Sequence, residues 1–275
     1  MRSVIVLTKT MVSANHLKLI TVNELKNGNT FQPRLMFTDD WLTQHDFVHE
    51  TIISAIYEDD VLTLQAHGVG LNVYQNIVSD IRQKRGQIFQ ALNVKYLGGR
   101  RKETLYLNIQ SEFLTRIGFS IGSLLLVESS RGWMTFKKIA PTIFNFLPND
   151  EIRILKVARK SEQGQVLPRM MLAASWIADA GFSIDSQATA TYEADGSICL
   201  MPAKKYLKKP RGQKKPNVVN ISSISLVGGK VPYITLTGIW LLELGFNVDD
   251  ILLVGVRKGH IRLKPVSKEL LASCR

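Results

Sequence analysis

The chain has 275 residues, a formal net charge of +12 at pH 7 and a hydrophobic fraction of 45%, which is typical of a soluble globular protein with room for roughly two domains. No apolar run approaches the ~20 residues of a membrane span, and the N-terminus lacks the apolar core of ~7–15 residues of a signal peptide. The two cysteines, Cys199 and Cys274, have no metal-ligand spacing and form no disulfide framework, so we expect a cytoplasmic protein.

The first quarter of the chain predicts a strand, a short helix and a hairpin. An alternating leading strand occupies 16–22, and a polar loop with the turn signal Asn27-Gly28 follows. A strand–helix–hairpin core then runs from Pro33 to His67, with Trp41 five residues before Asp46-Phe47. We define residues 15–67 as repeat 1, which carries three basic and eight acidic residues.

Two histidines in repeat 1, His45 and His49, have the i,i+4 spacing of two metal ligands on one helix face. We expect no metal site, because Phe47 ends the helix between them and no third ligand is evident. No cofactor-binding motif occurs elsewhere in the chain, so we expect no cofactor. Apolar residues at helical spacing in 68–89 predict a linker helix.

The second pattern, repeat 2, spans 90–139. Its leading strand is 91–96, and its core places Phe113 five residues before Gly118-Phe119. A loop between strand and core carries two glycines and then three cations that we expect to contact nucleic acid: Arg100, Arg101 and Lys102.

The third pattern, repeat 3, spans 151–202 and places Trp176 five residues before Gly181-Phe182. Its leading strand, 152–157, and the following loop carry the candidate nucleic-acid contacts Lys156, Arg159 and Lys160.

A basic linker, 203–216, follows repeat 3 and contains no acidic residue. One tyrosine among its cations can stack on a base; the alternative is a solvated linker. The candidate contacts in this linker are Lys204, Lys205, Tyr206, Lys208, Lys209, Arg211, Lys214 and Lys215.

The fourth pattern, repeat 4, spans 217–265 and places Trp240 five residues before Gly245-Phe246. The four aromatic positions are 72, 63 and 64 residues apart, and each is followed by a hairpin pattern. Four such matches in register predict a tandem array.

At these residues the sequence resembles SymE-type proteins of the AbrB/MazE swapped-hairpin superfamily. The most similar segment is Gly238-Ile239-Trp240-Leu241 with Gly245-Phe246 and the later Ile261-Arg262-Leu263-Lys264-Pro265. The resemblance implies that two units exchange hairpins to form one small barrel. We therefore expect a mainly β fold with short helices, in which repeats 1 and 2 form one pseudo-dimeric barrel and repeats 3 and 4 another. Trp41, Phe113, Trp176 and Trp240 should be buried in the cores.

The charge distribution favours a polyanionic partner, because residues 68–275 carry 30 basic and 15 acidic residues. We expect a nucleic-acid-binding protein, with DNA preferred over RNA because the superfamily resemblance implies DNA-contacting regulators, often antitoxins. It would act as a monomer or homodimer near the nucleoid, without catalytic residues. One alternative is a SymE-like toxin that cleaves RNA or compacts DNA. Another is a protein-interaction scaffold that binds a partner through acidic repeat 1.

Overall fold

A computed structural model describes residues 17–38, 40–83, 88–97, 104–109, 111–162, 164–208, 215–226 and 229–273. Among these residues the chain divides into two compact units. Unit 1 comprises 17–18, 27–119 and 126–137, and unit 2 comprises 19–26, 120–125 and 138–273. No described helix has the length and apolar composition needed to cross a membrane.

The first half of the chain contains ten strands and three short helices among its described residues. In chain order they are β1 (Leu17–Thr21), β2 (Asn23–Asn27), β3 (Thr30–Thr38), α1 (Asp40–Gln44), β4 (Ile52–Glu58), β5 (Val61–Gly68), α2 (Leu71–Gln83), β6 (Ile88–Asn93), β7 (Lys95–Leu97), β8 (Thr104–Ile109), α3 (Ser111–Arg116), β9 (Leu124–Ser130) and β10 (Trp133–Ile139).

The second half repeats the order of the strands after a 3₁₀ turn at Pro141–Phe144, but its described residues have no counterpart of α2 and end with an additional helix. Its described elements are β11 (Glu151–Lys156), β12 (Ala158–Glu162), β13 (Gln165–Ala173), α4 (Ser175–Asp179), β14 (Gln187–Tyr192), β15 (Ile198–Pro202), β16 (Val218–Asn220), β17 (Ser222–Leu226), β18 (Gly229–Thr237), α5 (Trp240–Glu243), β19 (Ile251–Arg257), β20 (His260–Val266) and α6 (Lys268–Ser273).

The strands form two six-stranded and two four-stranded sheets. The six-stranded orders are β1-β9-β10-β5-β4-β6 and β11-β19-β20-β15-β14-β16, and the four-stranded orders are β2-β3-β8-β7 and β12-β13-β18-β17. The two halves therefore share one strand order. The prediction of a mainly β fold with short helices is confirmed.

Two strands separated by one buried residue begin each repeat, where the sequence predicts one leading strand. In repeats 1 and 3 the prediction of a following loop was wrong, because that loop contains the second strand, β2 or β12, and Arg159 and Lys160 lie in β12. The interruptions are Val22, Val94, Val157 and Ile221, each at most 2% exposed. At Val157 the backbone N–H donates to Asp250 O at 3.0 Å, and the carbonyl accepts the N–H of Asp249 at 2.9 Å. The other three residues bond in the same way to Gly122 and Ser123, to Glu50 and Thr51, and to Asp185 and Ser186.

The predicted closed barrels are not formed, because every described sheet is open and has two edge strands. The interruptions give the physical reason. At each one the chain leaves the six-stranded sheet and enters the four-stranded sheet, and the backbone groups of the interrupting residue bond to a loop instead of extending either ladder.

The short helices end as the sequence predicts. Gly118, Gly181 and Gly245 have φ values of 77°, 93° and 83°, and Asp46 takes the same conformation at 62°. In the last repeat the N–H of Phe246 donates to Leu241 O at 2.9 Å and that of Gly245 to Leu242 O at 3.0 Å. This pair of bonds defines a Schellman motif, which needs a left-handed residue and carries the chain into the next loop.

The core prediction holds for two of the four aromatic positions. Phe113 and Trp240 are each 5% exposed, whereas Trp41 and Trp176 are only partly buried. Each partly buried ring lies under a cation, with Lys18 Nζ 5.0 Å from the Trp41 centroid and Arg153 Cζ 5.1 Å from the Trp176 centroid. The phenylalanines after the helices, Phe47, Phe119, Phe182 and Phe246, are instead among the most buried side chains.

Candidate nucleic-acid interface

Two of the three cations of repeat 3 that were predicted to contact nucleic acid, Lys156 and Lys160, form ion pairs with acidic residues of the protein. Lys156 Nζ lies 2.8 Å from Asp249 Oδ1, and Lys160 Nζ lies 2.8 Å from Glu162 Oε2. The hydrogen bond and charge of Lys156 lower the pKa of Asp249, and the charge of Arg159 contributes to the same shift. A polyanion would therefore compete with Asp249 and Glu162 for these side chains.

One residue, Gln187, holds the first described segment of the basic linker, 203–208, against the protein through both its backbone and its side chain. Gln187, which is 4% exposed, accepts the N–H of Ala203 at its carbonyl oxygen (2.8 Å) and the N–H of Leu207 at Oε1 (2.7 Å). Its Nε2 donates to Asn220 Oδ1 at 3.1 Å. The intervening residues form a short loop whose two ends are fixed by the same glutamine.

This loop, 203–208, presents the most accessible aromatic side chain of the described residues next to three lysines. Tyr206 is 80% exposed, and Lys204, Lys205 and Lys208 are exposed. We call these four residues the basic loop. Lys215, which lies after the basic loop in the sequence, has its Nζ 3.3 Å from Glu243 Oε2. Composition predicts the basic loop, but no sequence signal marks Gln187, because its role depends on a contact that only folding creates.

Six predicted contact residues lie outside the described part of the chain, and the structure places none of them. They are Arg100, Arg101, Lys102, Lys209, Arg211 and Lys214.

The two histidines with metal-ligand spacing are engaged in separate contacts. His45, 1% exposed, has Nε2 3.0 Å from Ser129 Oγ. His49 stacks on Tyr96 with centroids 4.2 Å apart. Among the described residues no group of three or more His, Cys, Asp or Glu side chains is arranged to hold a metal ion.

Two serine–histidine pairs in unit 1 have a distance suited to nucleophile activation, which the sequence does not reveal. Ser54 Oγ lies 2.8 Å from His67 Nε2, and Ser129 Oγ lies 3.0 Å from His45 Nε2. Both serines are 2% exposed, so a substrate cannot reach either hydroxyl. Burial also lowers the pKa of His67. We assign these pairs a structural role.

Comparisons of the chain with protein-family models, with curated proteins and with solved structures found no match.

Proposed function

We propose that the protein binds nucleic acid, DNA in preference to RNA, through the basic loop. The observation that carries the proposal is the loop itself: three exposed lysines around an exposed tyrosine, held in place by Gln187. Lysines contribute affinity by neutralising phosphates, and an aromatic ring offers a stacking surface for a base. The net charge of +12 adds long-range attraction for a polyanion.

We also propose that the chain comprises four repeats arranged as two intrachain swapped-hairpin pseudo-dimers. In the second half the leading strand of repeat 3, β11, pairs with β19 of repeat 4, while the leading strand of repeat 4, β16, pairs with β14 of repeat 3. The same reciprocal order occurs in the first half. Covalent linkage would replace the association of two separate chains with a high effective concentration.

Spacing between side-chain contacts supports this duplication. Lys18 and Trp41 of repeat 1 form a cation–π pair, as do Arg153 and Trp176 of repeat 3. The two cations are 135 residues apart in the sequence, and so are the two tryptophans. A swapped-hairpin architecture is the feature that links this chain to the DNA-contacting superfamily that its sequence resembles.

A fluorescence-anisotropy titration of labelled duplex DNA at several salt concentrations tests the proposal. The informative variant carries Lys204→Ala, Lys205→Ala and Lys208→Ala. The matched control carries Lys26→Ala, Lys137→Ala and Lys258→Ala, which removes the same charge from exposed positions elsewhere. Each lost phosphate contact should lower the slope of log K against log salt by about 0.9.

We expect the basic-loop variant to lose affinity and salt slope, and the control variant to change little. Equal loss in both variants would show only a general charge effect, and no duplex binding at low salt would reject the proposal. A parallel titration with single-stranded RNA, followed by gel analysis, tests the toxin alternative, because cleaved RNA would favour that function.

A further inference from the structure

Each unit contains a cleft at the same place in its sheets. The clefts have volumes of about 450 Å³ in unit 1 and about 300 Å³ in unit 2, the lower part of the range that small-molecule ligands occupy. Six lining positions of unit 1, 91, 92, 93, 95, 106 and 108, recur in unit 2 at a constant separation of 127 residues. Two of them keep the same residue, as Asn93 and Asn220 and as Tyr106 and Tyr233.

The cleft occurs where a leading strand passes from one sheet to the other. Asn93 ends β6 and Lys95 begins β7, on either side of the interruption at Val94. Asn220 and Ser222 flank Ile221 in the same way. Directly across the ladder, Tyr106 pairs with Lys95 and Tyr233 with Ser222. The recurrence of the cleft is therefore a consequence of the shared strand order.

Hydrogen bonds to the lining residues use oxygen atoms and leave donors. Arg34 Nε donates to Asn108 Oδ1 at 3.0 Å, Arg169 Nη2 donates to the Tyr233 hydroxyl at 2.6 Å, and Gln187 Nε2 donates to Asn220 Oδ1 at 3.1 Å. Within the described part of the chain, the amide hydrogens of Asn108 and Asn220 and the hydroxyl hydrogen of Tyr233 have no acceptor, so they are available to a ligand.

Six buried polar atoms in unit 2 lack a partner among the described residues, and two of them are at the cleft. They are Thr235 Oγ1, from a residue that lines the cleft, and Nε of Arg169, which bonds to the lining Tyr233. Native proteins satisfy almost all such groups, so an orphaned donor calls for an explanation. With the positive charges of Arg34, Lys95 and Arg169 nearby, the lining chemistry suits a ligand that is rich in acceptor atoms and negatively charged.

Aromatic surface accompanies these donors. In unit 1 the cleft is lined by Tyr106 and by Tyr74 of α2, which is 42% exposed. In unit 2 it is lined by Tyr233 and by Pro216, the last residue of the basic linker. A nucleotide has the complementary groups, because its flat base can stack on a tyrosine ring and its charged phosphate can accept hydrogen bonds from the donors.

We propose that each unit binds one nucleotide in this cleft, with the phosphate held by arginine and amide donors, joined in unit 1 by Lys95, and the base against tyrosine. The inference goes beyond duplex binding by the basic loop. A nucleotide can enter as a free molecule or as an unpaired unit of a nucleic-acid strand.

Isothermal titration of the full chain with AMP and, separately, with a short single-stranded oligonucleotide tests the proposal. The variants Asn93→Asp and Asn220→Asp keep the side-chain volume and replace an amide donor with a negative charge. Asn220→Asp also keeps an oxygen that can accept from Gln187. Asn149→Asp, at an exposed position that does not line either cleft, is the matched control.

We expect two nucleotide sites per chain, of which each variant weakens one by about tenfold or more through like-charge repulsion, whereas the control retains both. Saturation by AMP identifies the free nucleotide as the source, and saturation by the oligonucleotide alone identifies the strand. Absence of binding by both, or binding that neither variant weakens, would overturn the proposal.

The basic-loop variant separates this result from the proposed duplex binding. We expect it to lose duplex DNA and to keep AMP or the oligonucleotide in the clefts. Nucleotide binding that disappears with the loop lysines and is unaffected by Asn93→Asp and Asn220→Asp would place the nucleotide on the loop and reject the cleft.

Discussion

Replacing Asp195 by asparagine tests how far an ion cluster stabilises unit 2. The carboxylate accepts four hydrogen bonds: Oδ2 from Asn145 Nδ2 at 3.0 Å, Arg262 Nη2 at 3.1 Å and Lys264 Nζ at 2.6 Å, and Oδ1 from the N–H of Ser197 at 3.0 Å. Lys264 is 8% exposed, so loss of the carboxylate leaves a largely buried ammonium group without its ion pair.

The magnitude follows from burial and geometry. A charge-assisted hydrogen bond contributes about 1.5–3 kcal/mol, and removing one partner of a fully buried pair costs about 3–5 kcal/mol. The Asp195 side chain is 25% exposed, so solvent screens part of this interaction. We expect Asp195→Asn to lower the free energy of unfolding by about 2 kcal/mol at pH 7.

The pH dependence has a defined sign. Partial burial acts to raise the pKa of Asp195, but hydrogen bonds from Lys264, Asn145 and Ser197 outweigh it and hold the pKa well below its ordinary value. A carboxyl whose pKa is lower in the folded state stabilises the fold above its unfolded pKa of ~3.9. This contribution is lost as pH falls through the folded pKa. The difference between wild type and variant should therefore be constant from about pH 7 to pH 5 and shrink below about pH 4.

Urea unfolding followed by tryptophan fluorescence at pH 7, 5 and 3 measures this difference. Asp249→Asn is the control, because Asp249 and Lys156 form an ion pair of 2.8 Å with side chains 62% and 68% exposed, and we expect no measurable loss. If the two variants lose the same stability, or if the Asp195 effect grows at low pH, the reasoning about the cluster is wrong.

Three further predictions concern the interior of unit 2. Gly255→Ala should lower the free energy of unfolding by about 1–3 kcal/mol through overpacking, because the new Cβ would lie 2.6 Å from Phe146 Cε1. Urea unfolding of the single variant and of its combination with Phe146→Leu measures this loss. A combination that recovers no stability would contradict the prediction. Burial raises the pKa of Tyr192 to about 12, so the tyrosinate absorbance of Tyr192→Phe should differ from wild type only above about pH 11; a difference near pH 10 would show an ordinary tyrosine. Burial also raises the pKa of the Cys199 thiol. In a Cys274→Ser background this thiol should therefore react slowly with maleimide in the native protein and rapidly in urea. Equal rates would show that the Cys199 thiol is accessible in the folded protein.

Local features of the fold could be predicted from sequence. Alternating apolar residues such as Ile234 and Leu236 predict a strand, and both side chains are buried on one face of β18. Glycines five residues after three of the four aromatic positions predict helix ends, and their positive φ values agree. These predictions succeed because periodicity and glycine conformation act over a few residues.

The candidate site was predictable only in part. Composition marks the lysines around Tyr206, since a run of cations without acids is visible in the sequence. It does not show that Lys156 and Lys160 meet Asp249 and Glu162 in the fold. Nor does it mark Gln187, whose two bonds to the loop join residues 16 and 20 positions away.

The sequence by itself determined the strand, helix and hairpin in the core of each repeat and their spacing, because these depend on hydrophobic periodicity and turn residues within short segments. Only the tertiary structure decided how those elements pair. The interruptions at Val22, Val94, Val157 and Ile221, the open sheets and the equivalent clefts all arise from backbone groups that meet across 35 to 101 residues of chain. Such pairing is set by which distant surfaces bury one another, and no local pattern records it.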